Sequence, residues 1–171
     1  MTDMQMTLDQ TLEIREATRR LAGLGGRRLL HLALDAVQTL DETELRAAAP
    51  GLAPYRPQML LTLLTWCYAS GTYSSRDIVW AMRRDPTVRY LCAGTRPDWP
   101  TLRRFRRAHR LWLEQCLAWV LKQAWALKLE DGEATFHGLD WFENRLAVDA
   151  AAEARTRLDL AALMDAAESE L

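Results

Sequence analysis

Lysine is nearly missing from this chain of 171 residues: Lys122 and Lys128 stand beside twenty arginines. Genomic base composition can produce such a bias, so it is not counted as functional, although a planar guanidinium suits phosphate recognition. Long apolar runs are also missing. None approaches the roughly 18–20 residues of a membrane span, and the N-terminus MTDMQMTLDQTLEIREATRR has neither the basic start nor the apolar centre of a secretory signal. A cytoplasmic chain with no membrane partner is expected. Cysteine is scarce, and Cys67, Cys92 and Cys116 lie 25 and 24 positions apart, which fits neither a disulfide framework nor a zinc spacing. They read as reduced, mostly buried thiols. No glycine-rich phosphate loop is present: GLGG at Gly23 to Gly26 lacks a preceding strand and the Lys-Ser/Thr ending. Nothing implies a cofactor or a small-molecule substrate.

With 49% apolar residues the chain can bury one real core, and its periodicity is nearly all helical. A first helix is expected from Thr7 to about Ala22, ended by Gly23, Gly25 and Gly26. Leu29, Leu30, Ala33, Leu34 and Val37 recur at helical spacing in a second. Asp41 with Glu44 is a capping-box pattern for a short helix that Pro50 closes, and GLAPYRP is a turn-rich joint. From Pro57, the stretch PQMLLTLLTWCYAS is apolar on most sides and predicts the central helix, ending at Gly71. Ser74 with Asp77 opens another helix that ends before Pro86. After a short helical turn at PTVRYLCAG, Asp98 or Thr101 caps a long helix expected to reach about Leu129. The fold class expected is all-α, a single multi-helix domain. Its parts are an extension over 1–50, a helical domain over 51–129, and an acidic linker with a C-terminal helix over 130–171.

The net charge of −1 conceals a strong asymmetry. Residues 76–110 hold ten arginines against Asp77, Asp85 and Asp98, an excess of +7, whereas residues 111–171 carry an excess of −7. Leu102, Phe105, His109, Trp112, Leu113, Cys116 and Val120 form the apolar stripe of the long helix, and Arg103, Arg106, Arg107 and Arg110 fall on the other side. Arg103 with Arg107, and Arg106 with Arg110, are like-charge pairs one turn apart, each costing roughly 0.2–0.5 kcal/mol in an isolated helix. No acid between Asp98 and Glu114 relieves them locally. A polyanion that neutralises the row is one reading, with duplex DNA the expected partner. A solvated basic face, or pairing with the acidic C-terminal third, is the other. The candidate DNA-binding residues are Ser75, Arg76, Arg83, Arg84, Arg89, Arg96, Thr101, Arg103, Arg104, Arg106, Arg107 and Arg110. A capped helix, a connection and an arginine-bearing helix make a helix-turn-helix-like order, although the connection is longer than the usual ~3–4 residues.

The segment from Tyr55 to Arg107 holds, in order, Tyr55 and Pro57; Gly71, Ser74, Ser75, Arg76, Asp77 and Ile78; Arg84 and Asp85; Leu91 and Gly94; and Pro97, Asp98, Thr101, Leu102, Phe105 and Arg106. In these residues and their order it resembles the N-terminal helical domain of bacterial insertion-sequence transposases. The resemblance implies an all-helical module that binds the element's ends ahead of a ribonuclease-H-like domain with three metal-binding acids. Relatives enter that domain through a strand ending Asp-Gly-Thr. Here neither Asp140 nor Asp149 is followed by Gly-Thr. The expectation is therefore a sequence-specific DNA-binding protein, not an enzyme, with no metal or cofactor. It would be truncated, split or domesticated, and nucleoid-associated at element ends or a promoter region. Whether it forms a homodimer stays open.

Alternatives remain at this level. One is a protein-interaction or assembly module using the arginine face for a partner chain, and another is the DNA-binding part of an active transposase whose catalytic domain is supplied separately. His31 and His109 read as core or boundary histidines, and His137 beside Glu133 and Asp140 is a weak metal pattern. Trp66, Trp80, Trp112 and Trp119 read as core, and Trp99 as core cover or DNA contact. For the segment from Ala147 onward three roles compete: a packing helix, acids docked on the arginines in competition with DNA, or a partner surface at Leu158, Ala161, Ala162 and Met164.

Overall fold

The computed structural model describes residues 26–128 and 139–169. The helix expected over Thr7 to Ala22 and the group around His137 lie outside the described residues. The helices are α1 (Gly26–Gln38), α2 (Glu42–Ala48), α3 (Pro57–Ser70), α4 (Ser75–Arg84), α5 (Pro86–Leu91), α6 (Trp99–Ala108), α7 (Arg110–Lys128) and α8 (Leu139–Ser169). A 3₁₀ turn, Ala49–Leu52, follows α2. Among the described residues there is no strand, and no helix is long and apolar enough to cross a membrane.

The central helix is α3, as its composition predicts. Leu60, Leu61, Leu63, Leu64, Cys67, Tyr68 and Ala69 are all fully buried, and α3 touches α1, α2, α5, α7 and α8. It stops at Gly71, whose φ of 92° is left-handed and whose N–H donates to the Cys67 carbonyl, a conformation that costs glycine least. The last carbonyls of α3 do not face water. Arg157 of α8, with 0% exposure, donates from Nη1 to the carbonyls of Tyr68 at 2.8 Å and Ala69 at 2.9 Å. A cation at the negative end of a helix satisfies acceptors that helical geometry leaves orphaned. Glu153, one turn back on α8, accepts from Arg157 Nε at 2.8 Å and balances its charge.

The caps follow the sequence. Asp41 accepts from the backbone N–H groups of Thr43 and Glu44, the Ser74 hydroxyl accepts from Asp77 N–H, and Asp98 accepts from Thr101 N–H at 2.9 Å. The single long helix expected from Asp98 or Thr101 is instead two helices. At His109 the backbone leaves helical values (φ −123°, ψ 34°), and the ring stacks on Trp112 at 4.6 Å between centroids and tilts against Phe105 at 4.8 Å. The break lets α6 bury Leu102 and Phe105 beside α4, while α7 turns to pack on α1, α3 and α8.

Helices α7 and α8 pair antiparallel: Arg110 meets Asp159 at 2.6 Å, and Arg155 meets Glu114 at 3.3 Å, so numbers rise on one helix as they fall on the other. Ala150, Ala154, Leu158 and Ala161 are buried apolar positions of α8, and three alanines in that row allow close approach. Leu158 and Ala161 are therefore core, which favours the packing role over the partner surface among the roles that compete for this segment. Two further expectations are corrected. His31 is exposed on α1, and Trp80 is 55% exposed because it sits on the outer face of α4. Cys67, Cys92 and Cys116 are free and buried, as read.

Candidate nucleic-acid interface

Helix α6 carries the densest arginine run, and its two edges behave differently. At 100° per residue, the buried positions Leu102, Arg103, Phe105 and Arg106 cover an arc of roughly 160°. The arc is wider than the apolar residues alone define, and the two arginines fill its flank. Arg104 and Arg107 lie outside it and are exposed.

What covers Arg103 and Arg106 is the last turns of α8. The Asp165 carboxylate, 3% exposed, accepts from Ser75 N–H and from the Ser75 hydroxyl, both at 2.8 Å, and forms a short contact with Arg106 Nη1. Arg106 is buried, which works against its charge, yet its interactions with Asp165 and Tyr68 together more than offset this and its pKa is raised. Arg103 is aimed at the same place more loosely. Its Nε stands 3.6 Å from Asp165, its Nη2 stands 3.8 Å from Glu168, and its Nη1 donates to the Ser169 hydroxyl at 2.6 Å. Glu168 receives a 2.6 Å hydrogen bond from the Ser74 hydroxyl, and Arg76 Nε lies 4.0 Å from its other oxygen. The guanidinium carbons of Arg103 and Arg76 stand 4.4 and 5.2 Å from the centre of the Trp99 ring.

This overturns one expectation. Of the row Arg103, Arg106, Arg107 and Arg110, expected to face outward without internal counterions, Arg107 alone is exposed and in no ion pair among the described residues, and the other three have a carboxylate from α8: Asp165 and Glu168 for Arg103, Asp165 for Arg106, Asp159 for Arg110. The reason is geometric. A flank position of α6 is inside or outside according to whether a distant helix covers it, and the excess of −7 beyond residue 110 supplies that helix. Docked acids, weighed above as one role for the C-terminal segment, are what α8 provides. Ser75 is also buried, holding Asp165, and Thr101 is half-buried with its N–H bonded to the Asp98 cap.

The other candidates remain on the surface. Arg76 is half-exposed at the rim of the cluster; Arg83 and Arg84 are exposed on α4, Arg89 on α5, Arg96 on the connection to α6. Arg84 lies over the exposed Trp80 ring at 3.7 Å. Arg83, Arg84, Arg89, Arg96, Arg104 and Arg107 form no ion pair among the described residues. The structure thus brings Ser75, Arg76, Arg103 and Arg106 together under α8 and leaves six arginines facing water. Sequence reasoning did not single out Asp165, Glu168, Asp159 or Arg157. The one signal available for the three acids was the match between the basic and acidic excesses.

Among the described residues no group of three or more His, Cys, Asp or Glu side chains is arranged to hold a metal. No curated protein and no solved structure matches the chain. Residues 27–108, from the first turn of α1 to the last residue of α6, match the family model described as Transposase domain (DUF772), so this stretch is similar to that domain.

Proposed function

We propose that this is a DNA-binding module that carries no catalysis of its own. The observation behind the reading is the set of exposed arginines on the matched stretch that form no ion pair among the described residues: Arg83, Arg84, Arg89, Arg96, Arg104 and Arg107, with Arg76 at their margin. Like charges left unpaired on neighbouring helices cost stability and lower the free energy of meeting a phosphate backbone. Helices α4 and α6 pack together with α5 between them in sequence, an expanded version of the helix-turn-helix order in which α6 would approach the groove. Arg104 and Arg107, on the outer face of α6, are then the first residues to reach DNA. The target would be duplex at element ends or a promoter region. The lack of catalysis rests on Asp140 and Asp149, neither followed by the Gly-Thr of transposase relatives.

Titration of a labelled duplex at several salt concentrations tests the reading. If about four to six arginines contact phosphate, log K falls against log salt with a slope of about −4 to −5. Changing Arg104 and Arg107 together to Ala weakens binding at least about tenfold and lowers the slope by about 2, with helicity unchanged. Affinity that ignores salt would sink it. A second reading, a module that docks a partner chain, is favoured by Leu111, Val148 and Leu163, which are exposed on α7 and α8. Salt-independent association with protein and none with duplex would favour that reading instead.

A further inference from the structure

Two carboxylates of α8 meet the arginines, and they are held in different ways. Asp165 is sealed, with two hydrogen bonds from Ser75 and the contact to Arg106. Glu168, three residues on and 25% exposed, has one hydrogen bond, from the Ser74 hydroxyl. Its Oε2 is buried and accepts no hydrogen bond, with the nearest guanidinium nitrogens at 3.8 and 4.0 Å. The deficit is mutual. The Arg103 side chain is 9% exposed, and its Nε and Nη2 are buried without a hydrogen-bond partner, Nε 3.6 Å from Asp165 and Nη2 3.8 Å from Glu168. A buried guanidinium with two unused donors stands for more anion-binding capacity than the glutamate satisfies.

The surroundings describe what anion would satisfy it. Ser74 is the N-cap of the ten-residue α4, so the positive end of that helix faces the same spot. Arg76 borders it from the exposed side, and the partly exposed Trp99 ring lies against both guanidiniums. Ser74, Arg76, Trp99 and Arg103 all belong to the stretch 27–108, and the carboxylate that fills the spot comes from outside it. An acid is also the wrong residue for its own helix. The final turn of α8 has no basic residue, so Glu168 stands unfavourably at the negative end of the α8 dipole.

We propose that Ser74, Arg76, Arg103 and Trp99 form a phosphodiester site that Glu168 occupies in the free protein, and that a backbone phosphate of bound DNA replaces this carboxylate. Displacement requires the last turn of α8 alone, since Asp165 keeps the rest of the helix docked. The inference rests on the DNA-binding reading and deepens it: the exposed arginines make the first encounter, and this site engages after the glutamate leaves.

The test uses the full chain and a labelled duplex at low salt, comparing wild type with Glu168→Gln, which keeps an acceptor for Ser74 and removes the competing charge. Asp149→Asn makes the same charge change in the exposed pair with Arg145, toward the other end of α8. Glu168→Gln is expected to bind about 3- to 10-fold tighter, Asp149→Asn to stay within about twofold of wild type, and the gain to vanish when Arg76→Ala is added. Circular dichroism checks that helicity is unchanged. Duplex binding by wild type with no gain in Glu168→Gln overturns the site and leaves the DNA-binding reading standing. Equal gains in both variants overturn it too, because net charge alone would then account for them. No binding by either protein at any salt removes the DNA-binding reading and this inference together.

Discussion

Arg103, Arg104, Arg106 and Arg107 are chemically alike and meet three different fates within five positions. Arg106 is locked to Asp165, Arg103 is buried with donors to spare, and Arg104 and Arg107 face water. Removing one partner of a buried pair leaves an uncompensated charge, so Asp165→Ala is expected to lower stability by about 3–5 kcal/mol. Arg104→Ala, on the surface, is expected to stay within about 0.5 kcal/mol. Urea denaturation of the two variants reads the contrast. Comparable losses in both would mean that the burial difference has no energetic weight. The sequence could not separate these arginines, because hydrophobic periodicity marks Leu102 and Phe105 as inside but says nothing of neighbours covered by a helix some sixty residues away. Trp80 shows the same blindness from the other side. An indole at helical spacing reads as core, yet here it is a plate on which Arg84 rests.

Elements were far more legible than their edges. The caps at Asp41, Ser74 and Asp98, the stop at Gly71 and the central position of α3 follow from local chemistry that needs no partner. The break at His109 does not, since no proline or glycine marks it and the residue supplies only a flat ring. That ring lends the junction a pH dependence. Partial burial lowers the His109 pKa below its ordinary 6.5, so the unfolded chain binds its proton more readily than the folded one. The contribution to stability is complete above pH 6.5, declines as pH falls below it, and levels off below the folded pKa. Melting curves from pH 7.5 to 5 are expected to show this decline in wild type. A His109→Phe variant, which keeps a ring between Phe105 and Trp112, should lose that part of it. Identical pH profiles for the two proteins would remove His109 as the source.

For the whole molecule, two populations of charge coexist and salt should separate them. The Debye length shrinks from about 10 Å at 0.1 M to about 3 Å at 1 M, which screens exposed guanidiniums but hardly touches a pair sealed from water. Raising sodium chloride across that range is expected to abolish duplex binding while moving the melting temperature by less than about 3 °C, the equivalent of about 1 kcal/mol for a chain of this size. A large fall in melting temperature would mean that the α6–α8 contact is itself held by screened charges. The all-helical class was readable from periodicity alone. The way α8 returns to α4 and α6 was visible only as an imbalance of charge, because pairing between distant segments is a property of the folded chain.

The turn at His109 falls one residue after the matched stretch ends. It works as a seam. What lies on its far side still supports the helices before it: α7 packs on α1 and α3, Arg157 of α8 satisfies the last carbonyls of α3, and Asp165 meets Arg106. A relative that keeps arginines at these two places but carries another partner beyond the seam would have to recruit its carboxylate from that partner. Such an acid therefore tells whether whatever follows the seam can cover Arg103 and Arg106.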